Sequence, residues 1–250
     1  MWIVPPSKIF NFPYTPLMQN VQTILNQLNP PQREAAEHLN GALLVLAGAG
    51  TGKTRVLTTR LAHLIQSGTA APHNILAVTF TNKAAKEMKD RVEDILGAPA
   101  AGMWLGTFHA LGARLLRKHA ELIGLKPDFT ILDTDDQKRL LDEILKEANI
   151  DTSTYPARVL AGIISRFKDN AWNPSDVPSD QNDFGGGKAI GLYARYQARL
   201  QALNAADFGD LLLQPLNLFK QHPHVLMTYQ NQLTHVLVDE YQDTNTVQYL

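Results

Sequence analysis

The chain has 250 residues, of which 44% are hydrophobic and 19% charged, and its formal net charge is −1. A chain of this length can bury a core as one large domain or two modest ones. The near-neutral charge provides no overall attraction to nucleic acid, so any DNA contact must come from a local basic surface.

Cysteine usage and hydropathy narrow the class of protein further. The chain contains no cysteine, which excludes disulfides and thiolate metal sites and fits a reducing cytoplasm. No apolar run approaches the roughly 20 residues that a membrane-spanning helix needs. Residues 1–17 are rich in proline and aromatic residues and do not resemble a secretory signal. We therefore expect a cytoplasmic protein without a membrane partner, preceded by a disordered extension over residues 1–17.

The first periodic segment runs from Met18 to Leu28 and predicts an amphipathic helix. A second helix is expected to begin after Asn29, which is a favourable cap, with Pro30 in the first turn. Gln32 on this helix has two interpretations. It is either an ordinary exposed helix residue or an amide that reads the edge of adenine, and its position alone does not decide between them.

The segment from Ala42 to Leu57 combines an apolar run, a glycine-rich turn and a helix start. The run Ala42–Leu46 predicts a buried strand, and a helix is expected to begin at Lys53. The turn between them consists of Ala47, Gly48, Ala49, Gly50, Thr51 and Gly52. Glycines let successive backbone N–H groups point inward, and the helix N-terminus adds partial positive charge. This strand, turn and helix are typical of a P-loop, with Ala47 in the first glycine position.

The P-loop pattern predicts a site for a nucleoside triphosphate with Mg²⁺. Lys53 can reach the β- and γ-phosphates, and Thr54 can place its hydroxyl on the metal ion. A dinucleotide fold is excluded because the glycine spacing differs from G-x-G-x-x-G and Lys53-Thr54 follows directly.

Two further apolar runs, Asn74–Phe80 and Met103–Gly106, predict strands that are each followed by a helix. Strands alternating with helices indicate a parallel α/β sheet, whose ligands gather at the carboxyl ends of the strands. The segments Phe80-Thr81-Asn82 and Thr107-Phe108-His109 follow these strands directly. We therefore expect them to share one rim of the sheet with the P-loop.

The alternation of strands and helices stops between residues 110 and 204, where helical periods take over. Helices are predicted over 111–122, 135–148, 157–169 and 188–203, and Thr134 with Gln137 forms a capping box for the second. The sequence thus predicts an all-helical subdomain over 110–204. It is inserted into an α/β P-loop domain formed by 18–109 and 205–250.

The last predicted strand, His235–Val238, ends in two acids, Asp239 and Glu240. An apolar strand ending in Asp-Glu is typical of the second half of a P-loop ATPase site. Asp239 would hold Mg²⁺ through water, and Glu240 would orient and deprotonate the attacking water. The alternative is a pair of strand-end acids on a solvated loop.

Taken together, these motifs resemble the N-terminal part of a superfamily 1 DNA helicase of the UvrD/PcrA/Rep group. The resemblance covers about Val21 to Leu250 and implies a RecA-like parallel sheet flanked by helices, with a helical accessory insertion. The segments that carry it are Leu28–Ala35, Ala47–Leu57, Ala77–Val92, Gly106–His109, Asp207–Leu213 and Val238–Asn245.

The resemblance implies roles for residues whose chemistry alone is ambiguous. Gln32 matches a glutamine that reads adenine, Arg55 an arginine near the base, and Gln242 a residue linking the γ-phosphate region to the DNA-bound state. The loops that line the single-stranded DNA track are matched by Phe80, Asn82, Thr107 and His109. Without the resemblance, Phe80 would be interpreted as a core residue and His109 as a satisfied loop histidine.

Basic side chains on the inserted helices are candidates for phosphate contacts, although such residues are usually just solvated. They are Arg114, Arg117, Lys118, Arg166 and Lys168.

The resemblance implies an ATP-dependent helicase that moves 3′ to 5′ on single-stranded DNA, acts at single-strand/duplex junctions, and serves DNA repair or replication. A second motor domain would complete the ATP pocket, so we expect the 250-residue chain alone to hydrolyse little ATP. One alternative is a helicase–nuclease subunit, and another is a truncated nucleotide- or DNA-binding module without turnover. A small-molecule kinase explains neither the insertion nor the Asp-Glu-x-Gln-Asp segment.

Overall fold

A computed structural model describes residues 21–48 and 50–250. The predicted extension over residues 1–17, the first residues of the helix predicted from Met18, and Ala49 of the P-loop lie outside the described residues. The chain divides into two compact units. The first unit extends to Pro72 and includes Glu87–Gly102, whereas the second comprises His73–Lys86 and Met103–Leu250.

Within the described residues the strands are β1 (Ile75–Thr79), β2 (Trp104–Thr107), β3 (Thr130–Ile131), β4 (Ala205–Ala206) and β5 (His235–Val238). The helices are α1 (Val21–Leu25), α2 (Pro30–Glu37), α3 (Lys53–Gln66), α4 (Asn82–Leu96), α5 (Phe108–Lys118), α6 (Thr134–Glu147), α7 (Ala157–Asp169), α8 (Phe184–Gly187), α9 (Ala189–Ala202), α10 (Asp210–Gln221), α11 (Pro223–Gln232) and α12 (Thr246–Tyr249). None of these helices is both long and apolar enough to cross a membrane.

The first unit is built from α1, α2, α3 and the C-terminal part of α4. Its core joins Val21 and Leu25 of α1 to Ala36 of α2, Val56 of α3 and Ile95 of α4. The predicted start of α2 is confirmed, because the Asn29 side chain accepts a hydrogen bond from the backbone of the third helical residue, as favoured N-caps do. These contacts fix α2 against the beginning of α3.

The strand predicted over Ala42–Leu46 is wrong. Residues 42–48 adopt no regular secondary structure, and Leu44 and Leu46 are 67% and 85% exposed. An apolar run becomes a strand only when a neighbouring strand takes up its backbone hydrogen bonds, and neither sheet of the described residues includes this run. The sequence shows that the segment is apolar, but it does not show whether a neighbouring strand is available to pair with it.

The second unit contains a parallel three-stranded sheet in the order β2-β1-β5. Leu76 pairs with Trp104 on one side of β1 and with Val236 on the other, and the register continues to Thr79 beside Thr107. The central strand β1 is buried over most of its length, as parallel strands covered on both faces usually are. The three strands predicted near these positions are confirmed, and so is the α/β class with a parallel sheet.

Helices α6, α7, α8 and α9 enclose a core of their own. The predicted helix over 157–169 coincides with α7, and those over 135–148 and 188–203 differ from α6 and α9 by one residue at each end. The largest fully buried side chains of this helical core include Phe167, Tyr193 and Tyr196. The cap of α6 differs from the prediction: Asp133, not Thr134, accepts the hydrogen bonds of the first-turn N–H groups. A carboxylate at this position also complements the positive end of the helix.

Helix α5 crosses α10 at very short range, because Gly112 lies against the backbone of Leu211. A Cβ atom on Gly112 would lie 1.9 Å from the Leu211 carbonyl oxygen. Glycine is therefore required here by the close approach of two backbones. The crossing holds α5, which follows β2, against α10, which follows the short strand β4.

Candidate nucleotide and DNA sites

The P-loop lies in the first unit and turns through two glycines with positive φ, Gly50 at 76° and Gly52 at 90°. Inside the turn the Thr51 hydroxyl donates to the Gly48 carbonyl over 2.7 Å. The Lys53 ammonium reaches back to the Ala47 carbonyl at 3.3 Å. The predicted turn and the helix start at Lys53 are thus present, and the lysine side chain lies over the loop rather than along α3.

Gln32 and Arg55, the two side chains predicted to lie near a nucleotide base, both form hydrogen bonds within the first unit. The Gln32 amide accepts from the Asn29 N–H at 3.1 Å and donates to the Thr51 carbonyl over 2.8 Å. Arg55 donates to the Gln27 side-chain carbonyl over 3.0 Å. The Gln32 amide therefore joins the start of α2 to the P-loop, and its role at a nucleotide base stays a prediction.

The acidic pair lies in the second unit, where β5 ends. The Asp239 N–H donates to the Val78 carbonyl over 2.9 Å, which extends the pairing of β5 with β1 by one residue. The chain then turns sharply, because Glu240 has φ 49° and ψ 44°, a left-handed conformation that is uncommon outside glycine. The Glu240 carboxylate accepts a hydrogen bond from the Gln242 amide. Three predicted residues, Asp239, Glu240 and Gln242, thus form one acidic loop at the end of a strand.

The loops predicted to bind DNA leave the same edge of the sheet as the acidic loop. Because Thr79 pairs with Thr107, the segments after β1 and β2 begin side by side. Phe80 and Phe108 pack edge to face with ring centroids 5.7 Å apart. Asn82 begins α4 and is exposed. The expectation of a shared rim is confirmed for the segments after β1 and β2, whereas for the P-loop, which belongs to the first unit, it stays a prediction.

Thr107 has a local structural use. Its side chain is 7% exposed and its hydroxyl accepts from the Ala110 N–H at 3.2 Å, which caps α5. The hydroxyl therefore orients the helix that begins with Phe108 and His109. His109 itself is half-buried and packs edge to face against Phe208, with centroids 5.9 Å apart.

Phe208 is a candidate DNA-contacting residue that the sequence analysis did not identify. It is 53% exposed although it is a large apolar side chain, and it lies between two buried acids, Asp207 and Asp210. The sequence feature that could have indicated Phe208 is the Asp-Phe-Gly-Asp tetrapeptide, in which an aromatic residue lies between acids just before a helix. Its proximity to His109 depends on the fold and is not visible in the sequence.

The proposed phosphate contact by Lys168 is wrong. Its side chain is 1% exposed, and its ammonium lies 2.8 Å from both carboxylate oxygens of Asp207 and 2.9 Å from Asp210. Tyr196 also donates to Asp207 over 2.9 Å. The lysine therefore neutralises buried acids, because buried charges need a partner of opposite sign.

Burial and nearby charges shift the pKa values of the buried Asp207 and of the neighbouring residues Asp169 and His109. Burial opposes ionisation of Asp207, but the attraction of Lys168 and several hydrogen bonds hold the pKa of that carboxyl below its usual value. Burial raises the pKa of Asp169 and lowers the pKa of His109, and the attraction between these two charges opposes both shifts. Asp169 and His109 thus interact electrostatically.

The sequence matches the model of the UvrD/REP helicase N-terminal domain over residues 28–250. The chain belongs to this family. It is 43% identical to the ATP-dependent DNA helicase PcrA of Staphylococcus aureus strain Mu50 and 44% identical to the protein of that name from Staphylococcus epidermidis strain RP62A, each over 229 residues. Both alignments cover 92% of this chain and 31% of the relative, so the chain spans about a third of the length of these curated relatives.

Membership of the UvrD/REP family confirms the resemblance to the UvrD/PcrA/Rep group. The matched range includes every residue to which the sequence analysis assigned a nucleotide or DNA role, from Gln32 to Gln242. The match therefore covers both units of the structure.

Proposed function

We propose that this chain is the ATP-binding motor part of an ATP-dependent DNA helicase that moves 3′ to 5′ on single-stranded DNA. The observation that carries the proposal is the family match over residues 28–250, which includes both the P-loop and the acidic loop. The relatives named ATP-dependent DNA helicase support ATP as the nucleotide and DNA as the track.

The proposed reaction is attack of water on the γ-phosphate, in which a new P–O bond forms, the bridging P–O bond to the β-phosphate breaks, and ADP and inorganic phosphate are released. Glu240 orients this water and accepts its proton, and Lys53 neutralises charge on the phosphate oxygens. Gln242 supports the role of Glu240 because its amide donates to that carboxylate. Gln32 and Arg55 hold the base.

The donor set of the proposed metal site fits Mg²⁺. Thr54, a half-buried residue in the first turn of α3, carries a hydroxyl, and Asp239, a half-buried residue just after β5, carries a carboxylate. Magnesium prefers such hard oxygen ligands and retains several waters. Thr54 directly and Asp239 through water would hold the ion, which would neutralise charge between the β- and γ-phosphates.

Single-stranded DNA is proposed to follow the rim of the sheet in the second unit. Phe80, Asn82 and His109 follow paired strands there, and Phe208 adds an exposed ring beside His109. Stacking of a base on an aromatic side chain contributes roughly 1–3 kcal/mol and tolerates any sequence. This chemistry suits a protein that must move along DNA without regard to sequence.

The division into a P-loop domain (18–109 and 205–250) and an inserted accessory subdomain (110–204) is part of the proposal. The helical core around Phe167, Tyr193 and Tyr196 supports it, because those side chains are buried among α6, α7 and α9. The accessory helices are proposed to contact single-strand/duplex junctions. Full turnover is proposed to need a second motor domain, so we expect little hydrolysis by the 250-residue chain alone.

The decisive experiment measures ATP turnover of the full-length protein with and without single-stranded DNA. Lys53→Ala is expected to abolish DNA-stimulated turnover, whereas Lys138→Ala, which removes an exposed lysine of α6, leaves it unchanged. Turnover that survives Lys53→Ala would refute the motor assignment. Absence of turnover in the unaltered protein would favour the binding-module alternative.

A further inference from the structure

Asp169 is the last residue of α7 and connects two segments that are far apart in sequence. Its Oδ1 accepts a hydrogen bond from the Asn245 side-chain amide over 2.8 Å, across 76 positions of sequence. The carboxyl group is half-buried, so this contact is shielded in part from water. Helix α7 thus ends on the segment that follows the acidic loop.

Asn245 has a second role that makes this contact consequential. It is the N-cap of α12: its side-chain oxygen accepts from the Gln248 N–H, and its own N–H donates to the Gln248 side chain, each over 3.0 Å. Asn245 also stands only a few residues after Glu240 and Gln242. One side chain therefore fixes both the start of α12 and the distance of the acidic loop from Asp169.

Apolar packing supports the same connection. Val247 of α12 is buried with Ala171, which follows α7, and with Leu212 and Leu213 of α10. Phe108, at the start of α5, packs against this cluster. The segment after the acidic loop is therefore held by α7, α10 and the DNA-side end of α5.

Asp169 also interacts electrostatically with the loop that follows β2. The charge of Asp169 interacts with that of His109, and the His109 ring packs edge to face against the exposed ring of Phe208. Asp169 is thus hydrogen-bonded to the segment after the proposed catalytic acids and interacts electrostatically with His109 of the proposed DNA track. Phe108, the neighbour of His109, provides the packing contact with that same segment.

We propose that Asp169 is a positioning residue that connects the DNA-side loop of His109 to the acidic loop through Asn245, so that bound DNA accelerates ATP turnover. The inference rests on the proposed function and deepens it by naming how the two sites communicate. A contact that both sites bias provides a physical route for coupling, and couplings between sites typically amount to 5- to 150-fold.

The test uses the full-length protein and compares Asp169→Ala, Asp169→Asn and the control Asp180→Ala, which removes an exposed acid outside the contact. Asp169→Ala is expected to lower the DNA stimulation of turnover about tenfold, within the usual range of such couplings, while turnover without DNA changes less than twofold. Asp169→Asn keeps an oxygen acceptor for Asn245 but loses the charge that acts on His109, so it is expected to lower the stimulation by no more than about threefold, less than Asp169→Ala does. Asp180→Ala is expected to match the unaltered protein.

Three results would overturn the inference. They are unchanged stimulation in Asp169→Ala, an equal fall of basal and stimulated turnover as expected of a purely structural residue, and a loss of stimulation in Asp169→Asn as large as that in Asp169→Ala. The unaltered protein separates this failure from failure of the proposed function. If it shows no DNA-stimulated turnover, the proposed function is wrong, whereas stimulation that is insensitive to Asp169 removes only the inference.

Discussion

Replacing Lys168 by methionine should destabilise the second unit strongly. The ammonium makes three contacts of 2.8–2.9 Å with two carboxylates, and the side chains of Asp207 and Asp210 are only 4% and 3% exposed. Without the lysine these acids have no buried cation among their contacts in the described residues. Breaking a buried ion pair by removing one partner typically costs about 3–5 kcal/mol, which is a large part of the total stability of a domain.

The assay is equilibrium unfolding in urea, followed by tryptophan fluorescence, because Trp172 packs against the helical core and Trp104 is buried beside α5. Lys168→Met is expected to lower the free energy of unfolding by about 3–5 kcal/mol. The control Lys138→Met, at an exposed position of α6, should change it by less than about 0.5 kcal/mol.

A second variant separates charge from packing. Adding Asp207→Asn and Asp210→Asn to Lys168→Met removes the uncompensated charges, and we expect this triple variant to recover more than half of the loss. Such non-additivity is typical of residues that share one buried network. A loss below about 1 kcal/mol in Lys168→Met, or a further loss in the triple variant, would refute the explanation by buried charge.

Three further outcomes follow from single sites. Gly112→Ala should lower the free energy of unfolding by at least about 1–3 kcal/mol, because the new Cβ would meet the Leu211 carbonyl at 1.9 Å; unchanged urea unfolding would contradict the close crossing. Hydrogen bonds from Thr154 and Ser153 lower the pKa of Asp151 to about 2, so its stabilising effect, present above about pH 4, is lost as the pH falls towards 2. An NMR titration of Asp151 should show that low midpoint, and Thr154→Ala should raise it; a midpoint near 4 in the unaltered chain would exclude these bonds. Phe208→Ala should weaken single-stranded DNA binding by the full-length protein by roughly 1–3 kcal/mol in a fluorescence-anisotropy titration, and equal affinity would remove the ring from the track.

Elements whose signal is local were predictable from sequence. The apolar run before Phe80 becomes β1, the apolar period of 157–169 becomes α7, and Asn29 caps α2. In each case neighbours within a few residues determine the outcome. The acids after β5 were predictable for the same reason, since a strand end and its following loop are contiguous.

Features that depend on distant partners were not predictable. Lys168 looked like a solvated base because its acids lie 39 or more positions away, and the Asp169–Asn245 contact spans 76 positions. The run Ala42–Leu46 has the composition of a strand, but strand formation requires a partner that composition does not specify. Residue type predicts which kind of partner a side chain or strand requires, whereas the fold determines whether that partner is present.

The exposed run Leu43-Leu44-Val45-Leu46 has a practical consequence for handling the chain. It is uncharged and free of proline, and its four side chains are 40–85% exposed. Short segments of this kind favour intermolecular β-pairing when they remain accessible. Preparations of the 250-residue chain should therefore self-associate as their concentration rises, and a single lysine in place of Leu44 should improve solubility without touching the P-loop glycines.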